Sequence, residues 1–202
     1  MAGGRQREFN KDEALRDAMH VFWKKGFVGA SLTDLTQGMG INKPSMYAAF
    51  GNKEQLFVQA TQYYLEHNAE AHIKHLHMPD QPLKDRLKGY MLSAVSAQCD
   101  PDSPKGCYIS LCVSEAASEC IPDDAEAAIT TAKNNGEDYL RNFFADEQHQ
   151  GHIAKDVDCD ELALYVMTVL HGTAAMARGG KSLQELLIII DYALGNINQM
   201  ME

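Results

Sequence analysis

Apolar residues in the first part of the chain recur every three or four positions, the spacing of one face of an α-helix. The first such stripe consists of Leu15, Ala18, Met19, Phe22 and Trp23. Asn10 can cap the helix that carries this stripe, and Gly26 can end it. The pattern therefore predicts a first helix over Asn10–Lys25.

Two short helices joined by a glycine-containing turn are predicted in Ser31–Lys53. Ser31 and Asp34 have the spacing of a capping box, and Asn42 can cap the second helix. Gly38 and Gly40 allow a tight turn, because glycine adopts positive φ without steric cost. The buried stripes would be Leu32, Leu35 and Met39 on the first helix, and Met46 and Phe50 on the second. This pattern is typical of a helix-turn-helix, whose second helix enters the major groove of DNA.

The outward face of the second short helix has the character of a DNA-reading surface. The predicted exposed residues are Lys43, Ser45, Tyr47 and Ala48, which are cationic, small or aromatic rather than acidic. Pro44 fits the first turn, where a missing N–H costs nothing. An ordinary helical hairpin is the alternative, since the bare pattern does not exclude it.

The rest of the chain shows no strand-like alternation and no repeat. After the Asn52 cap, further helices are predicted over residues 53–77, 82–98, 107–119, 123–147, 158–178 and 183–201. The fold class is therefore all-α. We expect an N-terminal three-helix DNA-binding domain with the helix-turn-helix over residues 1–53, and a C-terminal helical domain over residues 54–202.

The last helix is apolar around much of its girth, so it needs one partner inside the subunit and one outside. Together with the preceding helix it predicts an intersubunit four-helix bundle in a homodimer. A monomeric core is the alternative. The residues assigned to the interface are Leu162, Val166, Val169, Leu183, Leu187, Ile190 and Leu194.

The segment from Phe9 to Phe57 carries a specific set of motifs: Gly26-Phe27, Gly40-Ile41-Asn42-Lys43, Tyr47-x-x-Phe50 and Lys53-Glu54-x-Leu56. With these motifs it resembles the N-terminal domain of TetR-family transcriptional regulators. Gly106-Cys107 and residues 171–187 are similar to later landmarks of the family, and the patterns at Phe22-Trp23 and 47–51 resemble its ComR-like subgroup. The resemblance implies about nine helices, of which the first three bind DNA. The middle helices would form an effector pocket and the last two a dimer interface.

Roles on DNA follow from the resemblance and from helix geometry. Phosphate contacts are assigned to Ser31, Tyr47 and Lys53, which would position the domain without reading sequence. Thr33, Lys43, Pro44, Ser45 and Ala48 lie where base contacts of the family fall. In the family, larger polar residues often occupy the positions of Ala48 and Ala49. The readout of base sequence by this chain would therefore depend on Lys43, on thymine methyl groups and on DNA shape. Arg5 and Arg7 could enter a minor groove or belong to a disordered tail.

The net charge of −10 is unevenly divided along the chain. Residues 1–53 hold eight Lys/Arg against five Asp/Glu, whereas residues 54–202 hold ten against twenty-three. Local cations can contact phosphates, and an acidic remainder suppresses nonspecific binding. No apolar run approaches the roughly 18 residues of a membrane span, and no leader precedes the first helix. We therefore expect a cytoplasmic protein without a membrane partner.

Five cysteines in such a protein should be reduced thiols, and none forms a C-x-x-C pair. Cys107 begins a predicted helix two residues after Lys105, and both features favour the thiolate. It could sense an electrophile or oxidant, or bind Cu(I) with Cys112 or Met91. The alternative is a small buried hydrophobe.

Histidines and aromatic residues are concentrated in the middle of the chain. His72 and His75 have metal-ligand spacing, but histidines near a helix C-terminus also suit the helix dipole. No metal or cofactor is assigned. The effector pocket is predicted to be lined by Tyr63, His67, Tyr90, Met91, Cys107, Leu111, Tyr139, Phe143, Tyr165 and His171, although such a stripe also serves a core.

These features predict a sequence-specific, DNA-binding transcriptional regulator. We expect a homodimeric repressor that a small-molecule, metal or thiol-reactive effector releases from a palindromic double-stranded operator. The alternative is a helical architectural protein that binds DNA without sequence preference. An enzyme with Cys107 as nucleophile is not expected, because no base is identifiable beside it.

Overall fold

A computed structural model describes residues 9–117 and 120–201, and this part of the chain contains helices and no strands. The all-α prediction is confirmed. The helices are α1 (Lys11–Gly29), α2 (Leu32–Gly38), α3 (Lys43–Phe50), α4 (Lys53–Tyr64), α5 (Glu70–Ile73), α6 (Leu83–Gln98), α7 (Tyr108–Ala116), α8 (Asp123–His149), α9 (Cys159–Arg178) and α10 (Leu183–Met200). Within these residues, no helix is both long and apolar enough to cross a membrane.

Side-chain caps define the starts of the N-terminal helices, as the sequence predicts. The Asn10 side chain accepts hydrogen bonds from the backbone of α1, and Ser31 forms a reciprocal capping box with Asp34. The Asn42 side chain accepts from the Ser45 N–H at 2.9 Å at the start of α3. Asn52 forms a second capping box at the start of α4. These bonds satisfy N–H groups that have no partner inside their helix.

The first helix breaks where the sequence predicts its end. Gly26 has φ 74° and ψ 175°, far from helical values, and the next three residues complete a last turn. The backbone here is accessible essentially to glycine alone. The kink directs Phe27 into the core, where it is only 5% exposed.

The predicted single helix over residues 53–77 is interrupted and ends early. A π-helical turn, Leu65–Ala69, separates α4 from α5, and α5 ends at Ile73. Beyond it, the N–H groups of residues 75–77 bond three residues back, so the chain tightens into turns. The Leu76 carbonyl accepts from Arg86 Nη1 at 3.0 Å, which holds this end against α6. This contact with α6 stabilises the turns that follow α5.

Two hydrophobic clusters form the interior. The first joins α1–α4 to α7 and the N-terminal half of α8. The second joins Leu76, α6, the C-terminal half of α8, α9 and α10. Helix α8, 27 residues long, contributes to both. The predicted division after Lys53 coincides with the start of α4 but not with a gap in the packing.

Candidate functional site

The outward face of α3 is formed by Lys43, Pro44, Tyr47 and Ala48, all of which are exposed. Ser45 is only 8% exposed, so the prediction that it faces outward is wrong. The buried stripe of α3 runs through Ser45, Met46 and Phe50, at i, i+1 and i+5, and is wider than Met46 and Phe50 alone indicate. The remaining face carries one cation, one hydroxyl and no carboxylate.

The predicted phosphate contacts lie in different local environments. Tyr47 is 47% exposed. The Ser31 hydroxyl donates to Asp34 Oδ2 at 2.7 Å, so it must exchange this partner to bind a phosphate. Hydrogen bonds from Lys25 and Ser31 hold the pKa of the Asp34 carboxyl well below its usual range. Thr33 is exposed nearby, at the start of α2.

Lys53 is half-buried rather than free in solvent. Its Nζ lies 4.4 Å from the centroid of the Phe27 ring, a cation–π contact. Burial lowers the pKa of Lys53, and the negative charge of Glu115 opposes that shift. Lys53 therefore belongs to a contact between α4, the α1 kink and α7.

Glu115 ties α7 directly to the kink in α1. The Phe27 N–H donates to Glu115 Oε2 at 2.7 Å. A Cβ added at Gly26 would lie 2.0 Å from Glu115 Oε1, so the carboxylate occupies the space that only glycine leaves open. Sequence reasoning missed this contact. Its one signal was an acidic residue in the otherwise uncharged helix YISLCVSEA.

A cavity of about 490 Å³ lies between the α4–α5 segment and helices α6, α8 and α9, with the start of α7 at one end. Five of the predicted pocket residues line it: His67, Tyr90, Cys107, Tyr139 and His171. Further lining residues that the sequence did not indicate include Trp23, Tyr64 and Gln98. This volume is typical of small-molecule sites.

The other five predicted pocket residues lie elsewhere. Met91 and Phe143 are buried in the second cluster, and Tyr165 packs on that cluster while its hydroxyl accepts from Asn196 at 3.1 Å. Tyr63 stacks on His67 with ring centroids 4.0 Å apart, outside the cavity lining, and Leu111 is half-buried on α7. Consecutive side chains point in directions about 100° apart around a helix axis. A residue next in sequence to one that lines the cavity therefore faces a different part of the protein.

Cys107 precedes the first residue of α7 and lines the cavity. Its Sγ lies 3.5 Å from the Tyr64 hydroxyl. The Lys105 ammonium, predicted to favour the thiolate, instead donates to the backbone carbonyls of Cys99 and Asp100. Cys112 is fully buried, and burial raises the pKa of its thiol well above the usual range.

The histidines after α4 are engaged with neighbouring side chains. His72 Nδ1 lies 2.9 Å from Ser93 Oγ, and His77 is hydrogen-bonded to the Tyr139 hydroxyl. Burial lowers the pKa of His72. Across the described residues, no group of three or more His, Cys, Asp or Glu side chains is arranged to hold a metal ion.

Helices α9 and α10 present an apolar surface that differs from the predicted one. Leu162, Val166, Ile190 and Leu194 are buried inside the subunit. Val169, Leu183 and Leu187 are half-buried. The large apolar side chains left exposed here are Leu164 (60%), Met176 (49%), Ile188 (56%), Ile189 (50%) and Tyr192 (74%). Four of the seven assigned side chains therefore cannot meet a partner, because the subunit's own core covers them.

The predicted N-terminal arm, with Arg5 and Arg7, lies outside the described residues. Within them, a capped helix-turn-helix with an exposed cationic and aromatic face is joined to a helical body that contains a cavity. This arrangement defines a helix-turn-helix transcriptional regulator.

Comparison with known proteins identifies the family. Residues 14–60 match the sequence profile of bacterial regulatory proteins of the tetR family. The chain is 31% identical over 194 residues to the HTH-type transcriptional repressor ComR of Escherichia coli (strain K12), covering 95% of this chain and 90% of ComR. It is 32% identical to the HTH-type regulator YezE of Bacillus subtilis (strain 168), covering 81% and 83%. The chain belongs to the TetR family, a family of transcriptional regulators rather than enzymes.

Solved structures agree with this assignment. A cysteine-substituted form of the TetR family transcriptional regulator CifR, in complex with a 26-bp double-strand operator DNA, has a TM-score of 0.84 and 31% identity. The match covers 95% of this chain and 98% of CifR. The fold and the class predicted from the sequence are confirmed.

Proposed function

We propose that this protein is a homodimeric, sequence-specific repressor that an effector releases from a palindromic operator. The observation that carries the proposal is the exposed face of α3 in a capped helix-turn-helix, together with α1, which packs on α2 and reaches the wall of a cavity through Trp23. The operator complex of CifR supports DNA binding by the same fold. Residues 1–53 would bind DNA in the cytoplasm, and residues 54–202 would bind the effector and the second subunit.

On DNA, α3 enters the major groove with its exposed face. Lys43, Pro44 and Ala48 read base edges, with Thr33 beside them on α2, while Tyr47 contacts a phosphate. Lys53 contacts the phosphate backbone of the DNA when its ammonium leaves the Phe27 ring. A small, weakly hydrogen-bonding face reads thymine methyl groups and DNA shape more than donor and acceptor patterns.

The dimer is formed by the exposed apolar face of α9 and α10. Ile188 and Tyr192 lie one helical turn apart on α10, and Leu164 is exposed on α9. Exposed apolar residues of this size, on two adjacent helices, fit an isologous interface between two copies. A twofold dimer places two α3 helices about 34 Å apart, as adjacent major grooves require.

The effector acts from the cavity because its wall includes parts of the DNA-binding unit. Trp23 belongs to α1 and Tyr64 ends α4. A small molecule that binds there, or a reagent that modifies Cys107, favours a different placement of α1 and α4. The population then shifts away from the conformation in which the two α3 helices have the spacing that the operator requires. The size of the shift is set by the difference in the effector's affinity for the two conformations. Cu(I) bound by Cys107 would act on α1 and α4 in the same way.

Selection of bound sequences from a random duplex pool at near-physiological salt tests the proposal. We expect a palindromic motif, and binding without sequence preference that vanishes with salt would support the architectural alternative instead. Lys43→Ala should change the motif. Lys53→Ala should weaken binding to all sequences and lower the salt slope by about one. Lys155→Ala removes the same charge from an exposed position outside the helix-turn-helix and serves as the control.

A further inference from the structure

Within the described residues, two buried polar atoms that belong to residues lining the cavity have no hydrogen-bond partner. They are Trp23 Nε1 and Gln98 Oε1, in side chains that belong to residues only 3% and 5% exposed. Both residues line the cavity. Unpaired buried polar groups are uncommon in folded proteins and call for an explanation.

The orientation of both groups is fixed by their neighbours. Gln98 Nε2 donates to the Leu170 carbonyl at 3.0 Å, which leaves Oε1 as the unpaired acceptor. The Trp23 ring packs edge-on against Tyr64 with centroids 5.2 Å apart, and its backbone carbonyl accepts from Arg178 Nη2 at 3.0 Å. The two residues therefore contribute one unpaired donor, the indole N–H, and one unpaired acceptor, Gln98 Oε1, beside the cavity.

The rest of the lining is close to neutral. None of the described residues that line the cavity is acidic. The single cation among them, Lys133, has its Nζ 3.7 Å from Glu137. Burial lowers the pKa of His72 and of His171, which favours their uncharged forms. The cavity holds no counter-charge for a cationic ligand.

The size and lining of the cavity suit a small molecule. Its volume of about 490 Å³ lies within the range of small-molecule sites. Much of the lining is apolar or aromatic, including Ile109, Ala132, Met167 and Leu170. A ligand that fills this space is small and mainly apolar.

We propose that the cavity binds a neutral, mainly apolar small molecule that accepts a hydrogen bond from Trp23 Nε1 and donates one to Gln98 Oε1. A hydroxyl group can both accept and donate a hydrogen bond. The proposal rests on the proposed function in one respect, the assignment of the cavity as the effector site. Because Trp23 lies on α1, this hydrogen bond joins the ligand directly to the DNA-binding unit.

Trp23 is the single tryptophan of the chain, so ¹⁵N-labelled protein gives one indole N–H resonance that reports on this site. The full chain is titrated, without DNA, with benzyl alcohol and with ethylbenzene, which has the same number of non-hydrogen atoms and no hydroxyl. We expect a saturable shift of the indole resonance and at least about tenfold tighter binding of benzyl alcohol. Benzylammonium should bind more weakly than the alcohol.

Gln98→Leu is the informative variant, because it replaces the amide, and with it the acceptor, by an apolar side chain of similar volume. It should bring the two affinities within about twofold of each other, whereas exposed Gln184→Leu should leave the preference intact. Thermal unfolding and the wild-type indole resonance position establish that each variant is folded. Equal affinities of wild type for the two probes, no saturable shift with either, or an unchanged preference in Gln98→Leu would each overturn the proposal.

This outcome is separate from that of the proposed function. If benzyl alcohol binds at Trp23 while the selection yields no motif, the ligand site stands and the repressor proposal fails. If a palindromic motif is selected while neither probe binds, the repressor stands and the ligand class is wrong.

Discussion

Replacing Gly26 with alanine should destabilise the contact between α1 and α7 by an amount that can be worked out from its geometry. At φ 74° and ψ 175°, an L-residue costs about 1–3 kcal/mol more than glycine. The new Cβ would lie 2.0 Å from Glu115 Oε1, so the carboxylate must move away. The displaced carboxylate loses its 2.7 Å bond from the Phe27 N–H, and a hydrogen bond to a charged group contributes about 1.5–3 kcal/mol. The expected loss of unfolding free energy is therefore about 2.5–6 kcal/mol.

A double-mutant cycle separates the two contributions. Glu115→Ala alone should cost about 1.5–3 kcal/mol, the value of the lost hydrogen bond. The double variant should cost little more than Gly26→Ala alone, because the alanine has already displaced the carboxylate. The coupling energy between the two sites should therefore be about 1.5–3 kcal/mol.

Urea unfolding of the four proteins at one protomer concentration measures this cycle, since the stability of the proposed dimer would depend on concentration. Gly29→Ala is the matched control, because Gly29 has a helical environment and a Cβ there meets nothing closer than 3.8 Å. Strictly additive effects of Gly26→Ala and Glu115→Ala would refute the reasoning. Operator affinity of the folded variants then shows how far this contact positions the helix-turn-helix.

Two further predictions concern the dimer and the pH dependence. Ile188→Arg places a charge in the proposed interface and should shift the protein from dimer to monomer in sedimentation. Thr131→Arg, at an exposed position on α8, should not. A dimer in both variants would contradict the proposed interface. Burial tends to raise the pKa of Glu147, but hydrogen bonds from Arg86 and His152 lower it overall. The Arg86–Glu147 pair therefore stabilises the fold above the ordinary glutamate pKa of about 4.3. This stability is lost as the pH falls through the lower pKa of the folded state. Arg86→Leu with Glu147→Leu should reduce that acid sensitivity of the unfolding free energy, and an unchanged pH profile would argue against the assignment.

Local signals were enough to predict the helix-turn-helix. Asn10, Ser31, Asn42 and Asn52 cap helices through atoms two or three residues away, so the sequence contains both partners of each bond. Ser45 was misplaced because a small polar residue on a buried stripe resembles one on an exposed face. Its environment depends on how α3 packs, which the stripe of α3 alone does not determine.

Contacts between distant parts of the chain could not be predicted in this way. Phe27 and Glu115 are 88 residues apart, and Trp23 and Arg178 are 155 apart. The periodicity of α10 indicates two apolar faces but not which of them the subunit's own core covers. Burial of Ile190 and exposure of Ile188 follow from the position of α6 and α9, and so does the membership of the cavity wall.

The length of α8 has a mechanical consequence. Its 27 residues extend about 40 Å at 1.5 Å per residue, from the first hydrophobic cluster to the second. A rigid rod of that length acts as a lever, and a tilt of about 5° around its midpoint moves each end by about 1.7 Å in opposite directions. A ligand in the cavity would lie against Lys133, Gly136 and Tyr139 of this rod, so any change of tilt that accompanies binding would move residues in both clusters.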